Sequence, residues 1–119
     1  MIELAALTVD CADPGSLAEF YAAATGGELL RSDADSAWLG VAGAVWIFRR
    51  ADGYQPPSWP SPEVPLQMHM EFYVEDVDAA EAELVALGAT TAPEQADRAR
   101  GLVVMLDPAG RPFCICARS

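Results

Sequence analysis

The sequence predicts an α+β fold built from two tandem βαβββ modules. A pattern of one strand, one helix and three short strands occurs twice along the chain, and a proline-rich segment separates the two copies. The capping residue and the stop glycine also recur almost in step, since Asp76 follows Asp13 by 63 residues and Gly88 follows Gly26 by 62. With 119 residues the chain has room for one domain only. We therefore interpret residues 1–119 as a single domain, with module one at 1–50, a linker at 51–65 and module two at 66–119.

The chain is strongly acidic, and this excludes several partners. It carries 18 acidic and 7 basic side chains for a formal charge of −11, and every basic residue is arginine. A nucleic-acid or anionic-membrane partner needs a basic surface that these residues cannot assemble. No segment reaches the roughly 18 to 20 apolar residues of a membrane span, and no signal peptide is evident at the N-terminus. We expect a cytoplasmic protein with three reduced cysteines.

In the first module, Ile2–Val9 alternates loosely and is typical of a strand. Asp13 and Pro14 then supply a capping oxygen and a proline suited to the first turn of a helix, which Gly26 ends. Leu17, Phe20, Tyr21 and Ala24 form the apolar stripe of this helix. Short apolar runs between turn residues predict three further strands at 28–30, 37–41 and 45–49.

The second module repeats this order after the linker. Five of the fifteen residues at 51–65 are proline, which bars this segment from a central strand and favours a stiff, extended connector. Asp76 and Gly88 then predict the limits of the second helix. Strands are predicted at 66–74, 89–92, 101–106 and 111–117.

Motifs in both modules resemble the vicinal-oxygen-chelate superfamily, which includes glyoxalase I, bleomycin-resistance proteins and extradiol dioxygenases. The similarity covers nearly the whole chain and is greatest to the small glyoxalase-like proteins. It rests on Asp13-Pro14-x-x-Leu17-Ala18-x-Phe20-Tyr21, Tyr54-x-Pro56-Pro57-x-Trp59-Pro60, Gln67-x-His69-x-x-Phe72-x-Val74-x-Asp76-Val77, Leu87-Gly88-Ala89 and Asp107-Pro108-x-Gly110-x-x-Phe113-Cys114. The resemblance implies the glyoxalase/bleomycin resistance/dihydroxybiphenyl dioxygenase fold, in which the two modules form an eight-stranded cup around the ligand, and a homodimer.

The resemblance also implies where metal enzymes of this superfamily hold their ion. One ligand comes from each of four strands, and these positions fall near Leu4, Trp46, His69 and Cys114. Only His69 keeps a metal-binding side chain of the usual kind, so the octahedral site cannot form. We therefore expect no metal cofactor. A softer site from His69, Cys114 and Cys116 is the alternative, although thiols two residues apart on a strand are also typical of ordinary packing.

His69 is the only histidine, and strand alternation places Glu71 and Tyr73 on the same face. A carboxylate beside an imidazole could form an acid–base pair, so His69 and Glu71 are the candidate catalytic residues. The same pair could instead hold a cationic group of a ligand. A third interpretation is that His69 satisfies a backbone group or lies at a subunit contact.

The same alternation predicts an apolar and aromatic lining for the cup. Such a lining suits a planar or hydrophobic molecule, although each of these residues could equally fill a core. Trp59, carried by the rigid linker, could close over the pocket or anchor a dimer contact, and the sequence does not choose between them. The predicted lining residues are Leu4, Ala6, Thr8, Trp46, Phe48, Cys114 and Cys116.

These features predict a protein that binds a small, largely hydrophobic or aromatic molecule in its cup without the usual metal. The ligand could be cationic, and the resemblance implies a function like that of drug-sequestering resistance proteins. The alternative is an enzyme of the lyase, isomerase or dioxygenase type. It would use a divalent metal, or His69 and Glu71 as an acid–base pair.

Overall fold

The computed structural model describes residues 1–118, which form two compact units that divide between residues 54 and 55. The first unit holds one helix and four strands, in the predicted βαβββ order. Its elements are β1 (Leu7–Cys11), α1 (Pro14–Thr25), β2 (Glu28–Ser32), β3 (Ser36–Val41) and β4 (Ala44–Arg50).

The sheet of the first unit has the order β1-β4-β3-β2, with β1 parallel to β4 and the other pairs antiparallel. The α1 helix begins where the Asp13 carboxylate accepts the backbone N–H of Ser16, and it ends at Gly26, whose φ of 75° is left-handed. Leu17, Phe20 and Tyr21 of α1 are buried against one face of the sheet. The opposite face of this sheet carries no helix of the unit.

The second unit repeats this arrangement, with its sheet in the order β5-β8-β7-β6 and β5 parallel to β8. Its helix packs on one face, which receives Val103, Met105, Phe113 and Ile115 by strand alternation. The elements are β5 (Met70–Val74), α2 (Val77–Leu87), β6 (Thr90–Thr91), a 3₁₀ turn (Arg98–Arg100), β7 (Leu102–Leu106) and β8 (Pro112–Ala117). The predicted α+β class with two βαβββ modules is confirmed.

The structure corrects the limits of two predicted strands. The strand predicted at Ile2–Val9 is β1, which begins at Leu7 because its pairing with β4 starts there and extends to Cys11, which is buried. Ile2 itself is fully exposed. The strand predicted at 66–74 begins only at Met70, because Gln67 has a φ of 60° and Met68 N–H donates to the Leu66 carbonyl in a tight turn.

Residues 55–65 of the proline-rich segment are part of the second unit, whereas residues 51–54 belong to the first. The Ser58 hydroxyl accepts the N–H of Val64 at 2.8 Å, and the Ser58 N–H donates to the Val64 carbonyl at 2.8 Å, which closes a loop. This loop carries Trp59 against the sheet of the second unit. Over residues 1–118, none of the helices has the length and apolar character that crossing a membrane requires.

Candidate functional site

The structure brings His69 and Glu71 together, as strand alternation predicts. His69 lies immediately before β5 and Glu71 lies within it, and Nε2 of the imidazole is 3.1 Å from Oε1 of the carboxylate. Both side chains are accessible, with exposed fractions of 36% and 55%. Tyr73 is also exposed, and its ring faces the Arg118 guanidinium at 4.3 Å. The His69–Glu71 pair is therefore open to a ligand.

Cys114 of β8 completes a compact group with these two residues. Glu71 and Cys114 are register partners in the parallel β5–β8 pair, so their side chains lie on the same face. The imidazole nitrogen, the carboxylate oxygen and the Cys114 sulfur all lie within 4.8 Å of one another. Burial, together with the negative charge of Glu71, raises the pKa of the Cys114 thiol to about 11. The thiol is therefore protonated at neutral pH when nothing is bound.

An apolar surface, here called the Trp59 patch, adjoins this group on the face of the sheet opposite α2. Its buried floor is formed by Ala92, Val104 and Cys114, and three partly buried residues pack against that floor: Trp59, Leu102 and Leu106. An indole beside aliphatic side chains favours a flat apolar ligand. Cys114 belongs both to the patch and to the polar group, so apolar and polar surfaces meet there.

Gln95 fixes the floor of the patch. Its amide nitrogen donates to the carbonyls of Ala92 and Val104, at 2.9 and 2.7 Å, and its amide oxygen accepts the Val104 N–H at 3.0 Å. Three hydrogen bonds from one side chain join the segment after β6 to β7. The floor is thus held in place without any ligand.

Trp46 and Phe48 do not share a face with Thr8, and the predicted common lining is wrong on this point. In the parallel pairing of β1 with β4, Thr8 is the partner of Ile47, whereas Trp46 and Phe48 pair with Leu7 and Val9. The rings of Trp46 and Phe48 point toward α1. Tyr21 stacks on Phe48 at 5.7 Å between centroids and meets Trp46 edge-on at 5.7 Å.

The predicted lining residues of the first strand lie elsewhere. Leu4 and Ala6 precede β1, and Leu4 is 79% exposed. Thr8 lies within β1 and is also exposed. The structure therefore does not gather Leu4, Ala6 and Thr8 with the two aromatic residues of β4.

Trp38 is the residue that sequence reasoning missed. It is the β3 partner of Ile47, on the helix-free face of the first sheet, and the Arg31 guanidinium lies 5.2 Å from its ring. Its neighbours Ala37 and Leu39 are fully buried against α1. That alternation is the signal that could have identified Trp38 as an aromatic residue on the opposite face.

Several solved structures have the same fold as this chain. One is a possible glyoxalase from Bacillus cereus, 17% identical, with a TM-score of 0.72 over 98% of this chain and 100% of that one. Another is the fosfomycin resistance protein FosX from Listeria monocytogenes, in a complex with Mn(II), 21% identical, with a TM-score of 0.73 over 100% of this chain and 93% of that one. A glyoxalase family protein from Enterococcus faecalis is 23% identical, with a TM-score of 0.68 over 96% of each chain.

Residues 6–116 match the Glyoxalase-like domain family, and the chain belongs to this family. The resemblance drawn from the sequence is therefore confirmed. No curated protein sequence matches the chain.

The residues present do not fit the four-ligand metal centre that the superfamily implies. Of the four positions, Leu4 has a hydrocarbon side chain and the Trp46 ring packs on Tyr21. Neither the Leu4 nor the Trp46 side chain has an atom that can coordinate a cation. Only His69 and Cys114 of the four positions have a side chain that can ligate a metal ion, and two ligands do not make the four-ligand centre.

Proposed function

We propose that this glyoxalase-like protein binds a small, largely apolar or aromatic molecule on the Trp59 patch, without the four-ligand metal centre of the superfamily's metal enzymes. The observation that carries the proposal is the position of Trp59, which packs beside the buried floor of the patch while remaining partly accessible. A single indole over an aliphatic floor provides a stacking surface for a planar ligand. Sequestration of such a molecule is the activity that follows.

The His69–Glu71 pair supplies the polar contact of this proposed site. A carboxylate 3.1 Å from an imidazole accepts charge-assisted hydrogen bonds from an ammonium or amidinium group of a ligand. The chain's charge of −11 attracts such cations over a longer range. A planar aromatic amine is therefore the ligand class that this surface favours. The homodimer and the cytoplasmic location remain predictions.

Calorimetric titration with a panel of planar aromatic amines and neutral aromatic compounds tests the proposal. We expect at least one compound to bind, and we expect Trp59→Ala to weaken its binding about tenfold or more. Stacking on one aromatic side chain contributes roughly 0.5–1.5 kcal/mol beyond area burial, and the variant also loses the apolar area that the indole buries. Trp38→Ala is the matched control, because it removes the same side chain from the other unit. If no compound binds, or if the two variants weaken binding equally, the proposal is wrong.

A second candidate function is acid–base catalysis by His69 and Glu71, which the 3.1 Å contact favours. FosX is named for fosfomycin resistance and carries Mn(II), so fosfomycin is a first compound to test, with and without that ion. The binding proposal expects no consumption of fosfomycin in either case, because two metal-ligand positions have no donor. Consumption that is lost in both His69→Gln and Glu71→Gln would favour catalysis instead.

A further inference from the structure

The polar group beside the Trp59 patch combines three donors of different chemistry: an imidazole nitrogen, a carboxylate oxygen and a thiol sulfur. We propose that His69, Glu71 and Cys114 form a binding site for one thiophilic divalent cation, with Zn²⁺ as the preferred ion. The site is distinct in composition from the superfamily's four-ligand centre, since Glu71 does not occupy one of those four positions. It shares His69 and Glu71 with the proposed ligand surface, so a bound cation and a ligand's ammonium group would compete for these two side chains.

The separations within the group suit a tetrahedral ion. The three donor atoms lie within 4.8 Å of one another. Zn²⁺ holds nitrogen and oxygen at about 2.0–2.2 Å and sulfur at about 2.3 Å, which in a tetrahedron places ligand atoms roughly 3.3–3.8 Å apart. The longest separation must therefore contract by up to about 1–1.5 Å, whereas the 3.1 Å between His69 and Glu71 needs no contraction. The exposed side chains of His69 and Glu71 can supply it by rotation, while Cys114 stays fixed in β8.

All three ligands come from two adjacent strands of one unit or from the residue directly before one of them. The parallel pairing of β5 with β8 places Glu71 directly opposite Cys114, and His69 precedes Glu71 by two residues on the same face. The backbone positions of Glu71 and Cys114 are therefore set by a hydrogen-bonded ladder before any ion binds, and His69 lies one residue before that ladder. Cys116 lies on the same strand face, but it is not among the clustered donors within residues 1–118.

The donor types decide which ion is preferred. Thiolate and imidazole favour Zn²⁺ and similar borderline or soft ions, whereas Mn²⁺ and Mg²⁺ favour carboxylate, carbonyl and water oxygens. Here only one of three donors is an oxygen. The preference should therefore differ from the Mn(II) found in the FosX structure. Three protein ligands also leave a fourth position for water or for a ligand atom.

A bound cation would offset the cost of forming a thiolate at Cys114. The thiol must lose its proton to ligate, and this proton passes to solvent. Cys114 is buried and lies opposite the Glu71 carboxylate, and in the metal-free protein both features oppose that loss. A bound dication removes the opposition, because it neutralises both the carboxylate and the new thiolate.

Titration of the full-length protein with Co²⁺, followed by Zn²⁺, tests the proposal. Co²⁺ bound to a thiolate gives a near-ultraviolet charge-transfer band. We expect this band to saturate at one equivalent, to disappear when Zn²⁺ is added and to persist when Mn²⁺ is added. The absence of the band under excess Co²⁺ would overturn the proposal, as would its removal by Mn²⁺.

Variants separate the proposed ligands from nearby groups. Cys114→Ser should abolish the band, and the matched variant Cys116→Ser should keep it. The reverse pattern would contradict the assignment. Since Cys114 is buried and its variant could fail to fold, His69→Gln and Glu71→Gln provide an independent measurement. Both positions are exposed, and each variant should weaken Co²⁺ binding about tenfold or more. Unchanged Co²⁺ binding in both variants would also overturn the proposal. Binding of an aromatic ligand to the Trp59 patch is measured separately, in the presence of a chelator, so that failure of one proposal is distinguished from failure of the other.

Discussion

Glu81 shows how one side chain can join three elements of the second unit. It lies on α2 with only 19% of its side chain exposed, accepts the Thr91 hydroxyl of β6 at 2.7 Å and receives both terminal nitrogens of Arg98 at 3.0 and 3.1 Å. The Arg98 hydrogen bonds, and then that of Thr91, hold the pKa of Glu81 below its ordinary value of 4.5. We expect Glu81→Gln to cost about 1 kcal/mol of unfolding free energy at neutral pH.

The pH dependence of this cost has a definite sign. Because the pKa is lower in the folded than in the unfolded state, the stabilisation is complete above about 4.5 and is lost as the pH falls through the folded-state value. Urea unfolding of the wild type and of Glu81→Gln at several pH values measures how the difference in unfolding free energy depends on pH. Glu83→Gln, an exposed change on the same helix, is the control and should have little effect at any pH. A difference between wild type and Glu81→Gln that persists undiminished in acid would contradict this account.

At the scale of secondary-structure elements, Gly27 controls how closely the turn after α1 approaches β3. A Cβ added to Gly27 would lie 2.7 Å from the carbonyl oxygen of Gly40, which is backbone and cannot move aside as a side chain would. We expect Gly27→Ala to lower the unfolding free energy by about 1–3 kcal/mol. Gly15→Ala within α1 is the matched control, since its Cβ meets nothing closer than 3.6 Å. Helix propensity should leave that variant unchanged or stabilised by roughly 0.5–1 kcal/mol. Equal thermal unfolding midpoints for the two variants would contradict the prediction.

Elements that depend on local chemistry were predictable from the sequence, and those that depend on pairing were less so. Asp76 and Gly88 fix the limits of α2 through a cap and a left-handed residue, both visible in the sequence. Strand faces are different, because a shift of one residue in register reverses every side chain. This is why Trp46 and Phe48 were assigned to the wrong face. The contact of His69 with Glu71 was predicted correctly, because two residues of one chain segment need no register between strands.

At the scale of the whole molecule, the duplicated topology and the acidic charge have separate consequences. Each unit forms its own four-stranded sheet with one helix, so the same βαβββ pattern has been folded twice with different surfaces. The helix-free face of the first sheet carries Trp38 and Thr8. The helix-free face of the second carries the Trp59 patch with its donor group. Fold similarity to the Mn(II)-bound FosX therefore does not fix this chain's chemistry, since one scaffold can host different sites.

The net charge of −11 predicts that ligand affinity depends on the charge of the ligand, whichever single residue contacts it. Three naphthalene probes of similar size, with a methylammonium, a hydroxymethyl or a carboxylate group, differ mainly in charge. We expect affinity measured by calorimetry in low salt to fall in that order, because the protein's field attracts the cation and repels the anion. Added salt shortens the screening length from about 30 Å at 0.01 M to about 3 Å at 1 M, so the difference between cation and anion should narrow while the neutral probe changes little. If the carboxylate binds as tightly as the ammonium in low salt, the acidic surface has no part in ligand selection, and the preference for cations assigned to the His69–Glu71 pair must be abandoned with it.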